Sequence, residues 1–181
     1  MSDPIVVVPY DPAWPVLFCE LGQKLRQVLG DVAVRIDHVG STAVPGLAAK
    51  PVIDVQISVA SLEPLDAYRS PLEAAGLSWR ADNPDLTKRY FREAPGEWRT
   101  HVHVRQAGSL GEQITLVFRD YLRTHPDDAR NYAELKYHLA AQFRDDRPRY
   151  VESKGPLVWQ VLARASAWSQ ANGWQPGPSD A

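Results

Sequence analysis

Cysteine is the scarcest chemistry in this chain: Cys19 is its only thiol among 181 residues. One cysteine excludes an intramolecular disulfide framework and a cysteine-rich zinc site, and it suits a reducing cytoplasm. Its neighbours Leu17, Phe18 and Leu21 lead us to expect a buried structural thiol on a helix. Long apolar runs are missing too. None approaches the roughly 18 residues of a membrane span, and no basic n-region with an apolar h-region opens the chain, so a soluble, intracellular protein without a membrane partner is expected. An excess of one charge is also absent. With 20 Lys and Arg against 22 Asp and Glu, the formal net charge is -2, which gives no global attraction to nucleic acid or anionic lipid. Any basic site must therefore be local, and nucleic acid is the least expected partner.

What is present suffices for one core. The length is about one domain's worth and 44% of the residues are hydrophobic, so a single domain over residues 1–171 is expected, without internal repeat or linker. Residues 172–181, rich in Gly, Pro and Ser, are expected to fray. Ile5 to Val8 reads as a short strand closed by turn residues, and Trp14, Leu17, Phe18, Leu21, Leu25, Val28 and Leu29 form a helical stripe ending at Gly30. Strands are expected at Ala33–Val39, Val52–Val59, Leu77–Arg80, Thr87–Glu93 and Trp98–Arg105, the last two joined as a hairpin, with a helix over Leu62–Ala75 that Pro71 kinks or breaks. From Ile114 onward the chain reads as helical. Pro126 suits a helix's first turn, a charged turn spans Arg144 to Arg149, and a last helix runs around Leu157 to Trp168.

Two stretches carry chemistry. In IDHVGSTAVPGLAAKPVIDVQISV, Ile36 to Val59, a Gly-Ser pair leaves one strand and an aspartate sits in the middle of the next. Gly40 and Ser41 would let backbone amides and a hydroxyl approach phosphate oxygens, Lys50 could neutralise a phosphate, and Asp54 could hold a divalent metal. Spacing alone fits equally a turn glycine, a loop lysine and a sheet-end aspartate of an ordinary domain. In the second stretch, alternation puts Arg99, His101, His103 and Arg105 on one face of a strand, with Lys88, Arg89 and Arg92 on the neighbouring one. Such a row is either a solvated outer face or a face directed at a phosphate-bearing ligand. His38 could belong to the same pocket, but reads better as a satisfied strand histidine, and His125 and His138 read as structural or surface residues.

The run HVGSTAVPGLAAKPVIDVQI closely resembles the signature of GrpB-family proteins, a branch of the nucleotidyltransferase-fold superfamily. Arg99-Thr-His-Val-His-Val, Phe118-Arg-Asp-Tyr-Leu-Arg-Thr-His-Pro and the Tyr132, Leu135-Lys136, Leu139-Ala140, Tyr150, Lys154 pattern resemble the same family, so the likeness spans roughly Val6 to Ala165. It implies an α/β (α+β-like) fold, a nucleotidyltransferase-type mixed β-sheet flanked by helices with a helical C-terminal part. It also implies an ancestral site for transferring a nucleoside monophosphate. The superfamily pattern of Gly-Ser followed by Asp-x-Asp/Glu maps onto Gly40, Ser41, Asp54 and Gln56, and departs at Gln56, where a second metal-binding carboxylate is usual. The strand that should carry a third acid offers His101 and His103.

The resemblance thus implies a protein binding a nucleotide or phosphorylated small molecule with a divalent metal, and transferring a nucleotidyl group to an acceptor it does not identify. In that reading Gly40 and Ser41 hold phosphate, Asp54 the metal, and Lys50, Arg89, Arg99 and Arg105 offset negative charge. His101 and His103 serve as acid/base or metal ligands. Mg or Mn would be the family's metal. If Asp54, His101 and His103 meet, the two-histidine, one-carboxylate set suits Zn, Mn, Fe or Ni better than Mg. Lys136 and Lys154 match family positions but also fit exposed helical ones. The alternative is a non-catalytic accessory module with a degenerate site and a protein partner, because related domains resemble those fused to the kinase that phosphorylates dephospho-coenzyme A, where a folding-assistance role is implied.

Overall fold

The computed structural model describes residues 4–181, so residues 1–3 of the expected domain lie outside the described residues. Five strands form one mixed sheet in the order β1-β2-β5-β4-β3: β1 (Ala33–Val39), β2 (Ile53–Val59), β3 (Leu77–Trp79), β4 (Lys88–Glu93) and β5 (Thr100–Gln106). Only the β2–β5 pairing is parallel; β1–β2, β4–β5 and β3–β4 are antiparallel.

Alternation decides the two faces of this sheet. Ile53, Val55, Ile57 and Val59 of β2 join Val102 and Val104 of β5 and Phe91 of β4 in the main core. The helices α1 (Ala13–Leu29) and α2 (Asp66–Ala74) cover that face through Trp14, Phe18, Leu25, Leu29, Tyr68 and Leu72. Cys19 is exposed, contrary to the expected burial. It follows Phe18 by one residue, so it turns about 100° away from the buried stripe. Pro71 lies inside α2 without ending it.

The opposite, polar face is covered by α3 (Leu110–Thr124), α4 (Pro126–Gln142) and α5 (Arg147–Ala171). A second apolar cluster joins Tyr121 and Leu122 of α3, Tyr132 of α4, and Val161 and Ala165 of α5 to Val44 and Leu47 of the loop after β1. That loop is therefore gripped from its outer side. The last helix starts earlier than expected, at Arg147: Asp146 caps it by accepting from the Arg149 amide at 3.1 Å, and it passes through Pro156. Ile5 to Val8 does not form a strand, and only Val8 bridges Ala49.

The expected fraying of 172–181 is also corrected, because the tail closes the free edge of β1. The amides of Asp180 and Ala181 donate to the Ile36 carbonyl at 3.1 Å, and the Ile36 amide donates to Ser179 Oγ at 2.8 Å. Arg119, buried on α3, donates to the Asp180 carboxylate at 2.8 Å and to the His38 carbonyl at 3.0 Å. An edge strand with unpaired amides invites pairing with another chain, and this tail occupies it. Asp180→Ala is expected to lower stability by about 1–2 kcal/mol, toward the lower end for a charged hydrogen bond because Asp180 is partly exposed. Urea denaturation measures it, and an unchanged midpoint would mean that the tail contributes nothing to the fold.

Candidate functional site

Strand register builds the centre of the site. The parallel pairing of β2 with β5 sets Asp54 beside His101 and Gln56 beside His103, all on the face away from α1. Asp54 Oδ1 lies 3.1 Å from His101 Nδ1 and 3.7 Å from His103 Nε2. One ligand atom from each residue falls within 4.8 Å of the others. Tyr90 of β4 packs on both imidazoles, with ring centroids 5.7 and 5.2 Å away. Burial opposes ionisation of Asp54, but hydrogen bonds from His101 and His103 and their charge overcome it, holding the carboxyl below the ordinary range. Burial lowers the His103 imidazole, with Asp54 pulling the other way.

The turn after β1 delivers the next element. Gly40 adopts φ 71° and ψ -170°, and a Cβ there would stand 2.5 Å from Asp54 Oδ2. Only glycine brings this backbone against the carboxylate. Ser41 opens the 3₁₀ turn Ser41–Ala43, and Thr42 pins the turn to the residue just before β2 by donating to the Val52 carbonyl at 3.1 Å. His38 is a satisfied core histidine, as its sequence context suggested: it meets Thr42 Oγ1 at 3.0 Å and stacks on Phe18. Burial pushes it down to about 4.

Around these residues lies a cavity of about 260 Å³, lined by Gly40, Ser41, Asp54 and His101 and by charged groups from three other segments. Lys50 comes from the loop before β2, Lys136 from α4, and Arg147 and Lys154 from α5, so four cations face one carboxylate. Lys136 is only 3% exposed; its ammonium donates to Ser41 Oγ at 3.0 Å and to the Ala48 carbonyl, and sits 4.5 Å from the Tyr132 ring centre. Lys50 and Lys154 flank the Tyr150 ring at 5.5 and 4.6 Å. Burial, reinforced by Lys154 and Lys50, pushes Lys136 down to about 7. Burial, with repulsion from Arg147 and Lys154, pushes Lys50 down to about 8. The Tyr150 hydroxyl is buried without a hydrogen-bond partner among the described residues.

The sequence-predicted residues divide accordingly. Gly40, Ser41, Lys50, Asp54 and His101 line the cavity, and His103 reaches it through Asp54. Arg99 lines an adjoining hollow of about 280 Å³ with Lys50, His101 and Arg147. Arg105 lies on the same face but further along β5, 3.3 Å from Thr87 Oγ1 and packed over Gly111. Arg89 does not belong to the site. It pairs across β4–β5 with Val104, on the core side of the sheet, and its guanidinium donates to Glu63 at 2.8 Å. The exposed placement open to Lys136 on sequence is corrected by its burial. Arg147 and Tyr150 were missed as site residues; with Lys154 they follow i, i+3, i+7 spacing, a helical stripe that could have revealed them had the helix been started at Arg147.

The metal chemistry implied by the fold can be tested against these groups. A two-metal phosphoryl site needs several carboxylates. Gln56 is 1% exposed and donates to the Glu112 carbonyl at 3.4 Å. Neutral, buried and directed at α3, it cannot supply the second acid, and His101 and His103 occupy the strand of the third. The residues do not fit a magnesium pair.

This sheet, with a Gly-Ser turn facing an aspartate at the start of β2, has a nucleotidyltransferase-like fold. A structure of Cid1 in complex with its short product ApU has the same fold, with a TM-score of 0.51 and 15% identity over 75% of this chain and 43% of Cid1. The GrpB protein family model matches residues 4–164, and the chain belongs to the GrpB family. The crystal structure of the conserved protein GrpB from Enterococcus faecalis superposes with a TM-score of 0.78 at 33% identity, covering 88% of this chain and 98% of that one. UPF0157 protein PA4798 of Pseudomonas aeruginosa is 41% identical over 170 residues, 92% of this chain and 69% of that protein. A dephospho-CoA kinase of Mycolicibacterium paratuberculosis is 35% identical over 198 residues; the match takes in 96% of this chain, which spans about half (49%) of the kinase. Among the described residues no helix is long and apolar enough to cross a membrane.

Proposed function

We propose that the protein binds a nucleotide or another phosphorylated small molecule in the cavity between Gly40, Ser41 and Asp54, together with a divalent metal at Asp54. The observation that carries this reading is the charge of the cavity: Lys50, Lys136, Arg147 and Lys154 face a single carboxylate. Burying cations without matching anions is unfavourable, and a phosphate group removes that penalty. Ser41 and the Gly40 backbone approach the phosphate oxygens, and the lysines hold its charge in a part-desolvated space where such contacts are strong. The Tyr150 hydroxyl, without a hydrogen-bond partner among the described residues, donates to the same ligand. A bound metal supplies Lewis-acid polarisation of a phosphoryl oxygen.

Transfer of a nucleotidyl group to an acceptor is the fullest form of the proposal, and the neutral Gln56 weighs against its two-metal version. Calorimetry with ATP, GTP, CTP and UTP in the presence of Mg²⁺ or Mn²⁺ tests it. At least one nucleotide should bind, and Asp54→Ala should remove the metal dependence. Silence with all four, and Asp54→Ala indistinguishable from the parent, would refute the proposal.

A second reading, a non-catalytic accessory or folding-assistance module with a degenerate site, is favoured by Gln56 and by the dephospho-CoA kinase relatives, of which this chain spans about half. Recovery of a stable protein partner, combined with failure of that calorimetry, would favour it.

A further inference from the structure

We infer that Asp54, His101 and His103 form a mononuclear site for an imidazole-preferring divalent transition metal of the Zn, Fe, Mn, Co or Ni class, in place of a magnesium pair. This deepens the proposed ligand-binding site by naming its metal, and the metal site itself can be assayed without any nucleotide.

Geometry comes first. Ligand atoms about 2.0–2.1 Å from a shared metal stand roughly 3.0 Å apart at a right angle and about 3.4 Å apart at the tetrahedral angle. Of the observed separations from Asp54 Oδ1, the 3.1 Å to His101 Nδ1 falls within that range and the 3.7 Å to His103 Nε2 lies just above it. All three ligand atoms fall within 4.8 Å of one another. One ion can therefore sit among them with small side-chain adjustments. Backbone register supports the arrangement, because Asp54 pairs directly with His101, and His103 follows two residues later on the same face.

The second argument concerns which oxygen is available. Asp54 Oδ2 is turned against the bare Cα of Gly40, where a Cβ would stand 2.5 Å away, while Oδ1 faces the imidazoles. The glycine turn therefore holds the carboxylate in a monodentate pose. Packing of Tyr90 against both rings restrains them in turn.

Donor chemistry then selects the ion. Mg²⁺ takes oxygen ligands in a near-ideal octahedron, whereas two imidazoles and one carboxylate suit borderline transition metals and leave coordination positions open. Asp54 and His101 line the basic cavity, so those open positions face the place assigned to the phosphate. A dication with one carboxylate carries residual positive charge and adds to the attraction for an anion.

The test uses the full chain carrying Cys19→Ser, because the exposed thiol is itself a soft metal ligand. Chelator-stripped protein is titrated with Co²⁺, followed by its visible absorption, and with Zn²⁺ in competition with a chromogenic chelator, without nucleotide. One equivalent of each should bind, and equimolar Mg²⁺ should not displace either. His101→Gln, His103→Gln and Asp54→Asn should each weaken binding at least about 10–100-fold, the range already seen for residues that only orient a ligand. His138→Ala, at an exposed position on α4, should bind like the parent. Thermal unfolding of each variant shows that it is folded, and the three conservative substitutions must agree. Failure to bind Co²⁺ or Zn²⁺, binding indifferent to all three substitutions, or displacement by equimolar Mg²⁺ would overturn the inference. Calorimetry of the nucleotides in excess chelator separates the two proposals: nucleotide binding by a protein that fails the metal titration would sink this inference and the metal at Asp54, and leave the phosphate-binding cavity standing.

Discussion

Gly40→Ala is expected to destabilise the protein by at least about 1–3 kcal/mol, the usual cost of forcing a side chain into a glycine-only backbone region, and to abolish binding at the cavity. Two separable causes combine. Gly40 sits at φ 71°, and an added Cβ would lie 2.5 Å from Asp54 Oδ2 and 3.0 Å from Asp54 Cβ. The backbone strain belongs to Gly40 alone, whereas the collision belongs to the pair. Asp54 cannot yield cheaply, because moving its carboxylate breaks the contacts to His101 and His103.

A double-mutant cycle separates these causes. Asp54→Gly removes both the carboxylate and its Cβ, so in the Gly40→Ala background it should restore part of the lost stability, leaving only the strain. Chemical denaturation of the four proteins reads the coupling, and strictly additive effects would show that the close approach is not maintained in solution. Ligand binding should not return in the double variant, since Asp54 is gone.

The sheet was legible because its signals were local. Period-two alternation in Val52–Val59 and Trp98–Arg105 assigns the two faces of each strand, with Asp54 on the polar face of one and His101 and His103 together on one face of the other. Their meeting was not local information. It depends on β2 lying parallel and adjacent to β5, a pairing between segments more than 40 residues apart that periodicity does not encode. Arg89 shows how one residue of phase matters. Charge alone groups it with Lys88 and Arg92, yet an odd step along β4 turns it to the opposite face, where Glu63 neutralises it.

The basic wall was harder to read for a related reason. Lys136 occupies a polar slot in an ordinary helical stripe, and such lysines are usually solvated. What buries it is the Pro/Gly loop after β1, which brings Ser41 Oγ and the Ala48 carbonyl to its ammonium. The docked tail escaped in the same way. Gly, Pro and Ser predict weak local structure, but the partners of Ser179, Asp180 and Ala181 lie on β1.

Lys136 also carries the second large expectation, a linkage between protons, stability and ligand. Its ammonium is held at about 7 against an ordinary 10.5, chiefly by burial, then by Lys154 and Lys50. Lys50, Arg147, Lys154, Asp54, His101, Tyr132 and Tyr150 complete the surroundings of the cavity. Between pH 7 and about 10.5 the unfolded chain therefore holds a proton that the folded chain has released. Stability should rise with pH across that window, by up to about 1.4 kcal/mol per pH unit for one proton, and gain nothing from this group below pH 7. Lys136→Met should remove that part of the slope, whatever its effect on absolute stability. An anion in the cavity favours the charged ammonium, so nucleotide binding at pH 8 should take up protons, and affinity should fall as pH climbs from 7 to 9. Calorimetry in two buffers of different ionisation heat measures the uptake. At pH 6.5, Lys136→Met should weaken binding about 10–100-fold, the equivalent of one hydrogen bond to a charged group. Binding without proton uptake, together with a pH–stability slope unchanged in Lys136→Met, would mean that Lys136 stays protonated in the folded protein and is not the anion-sensing group of this cavity.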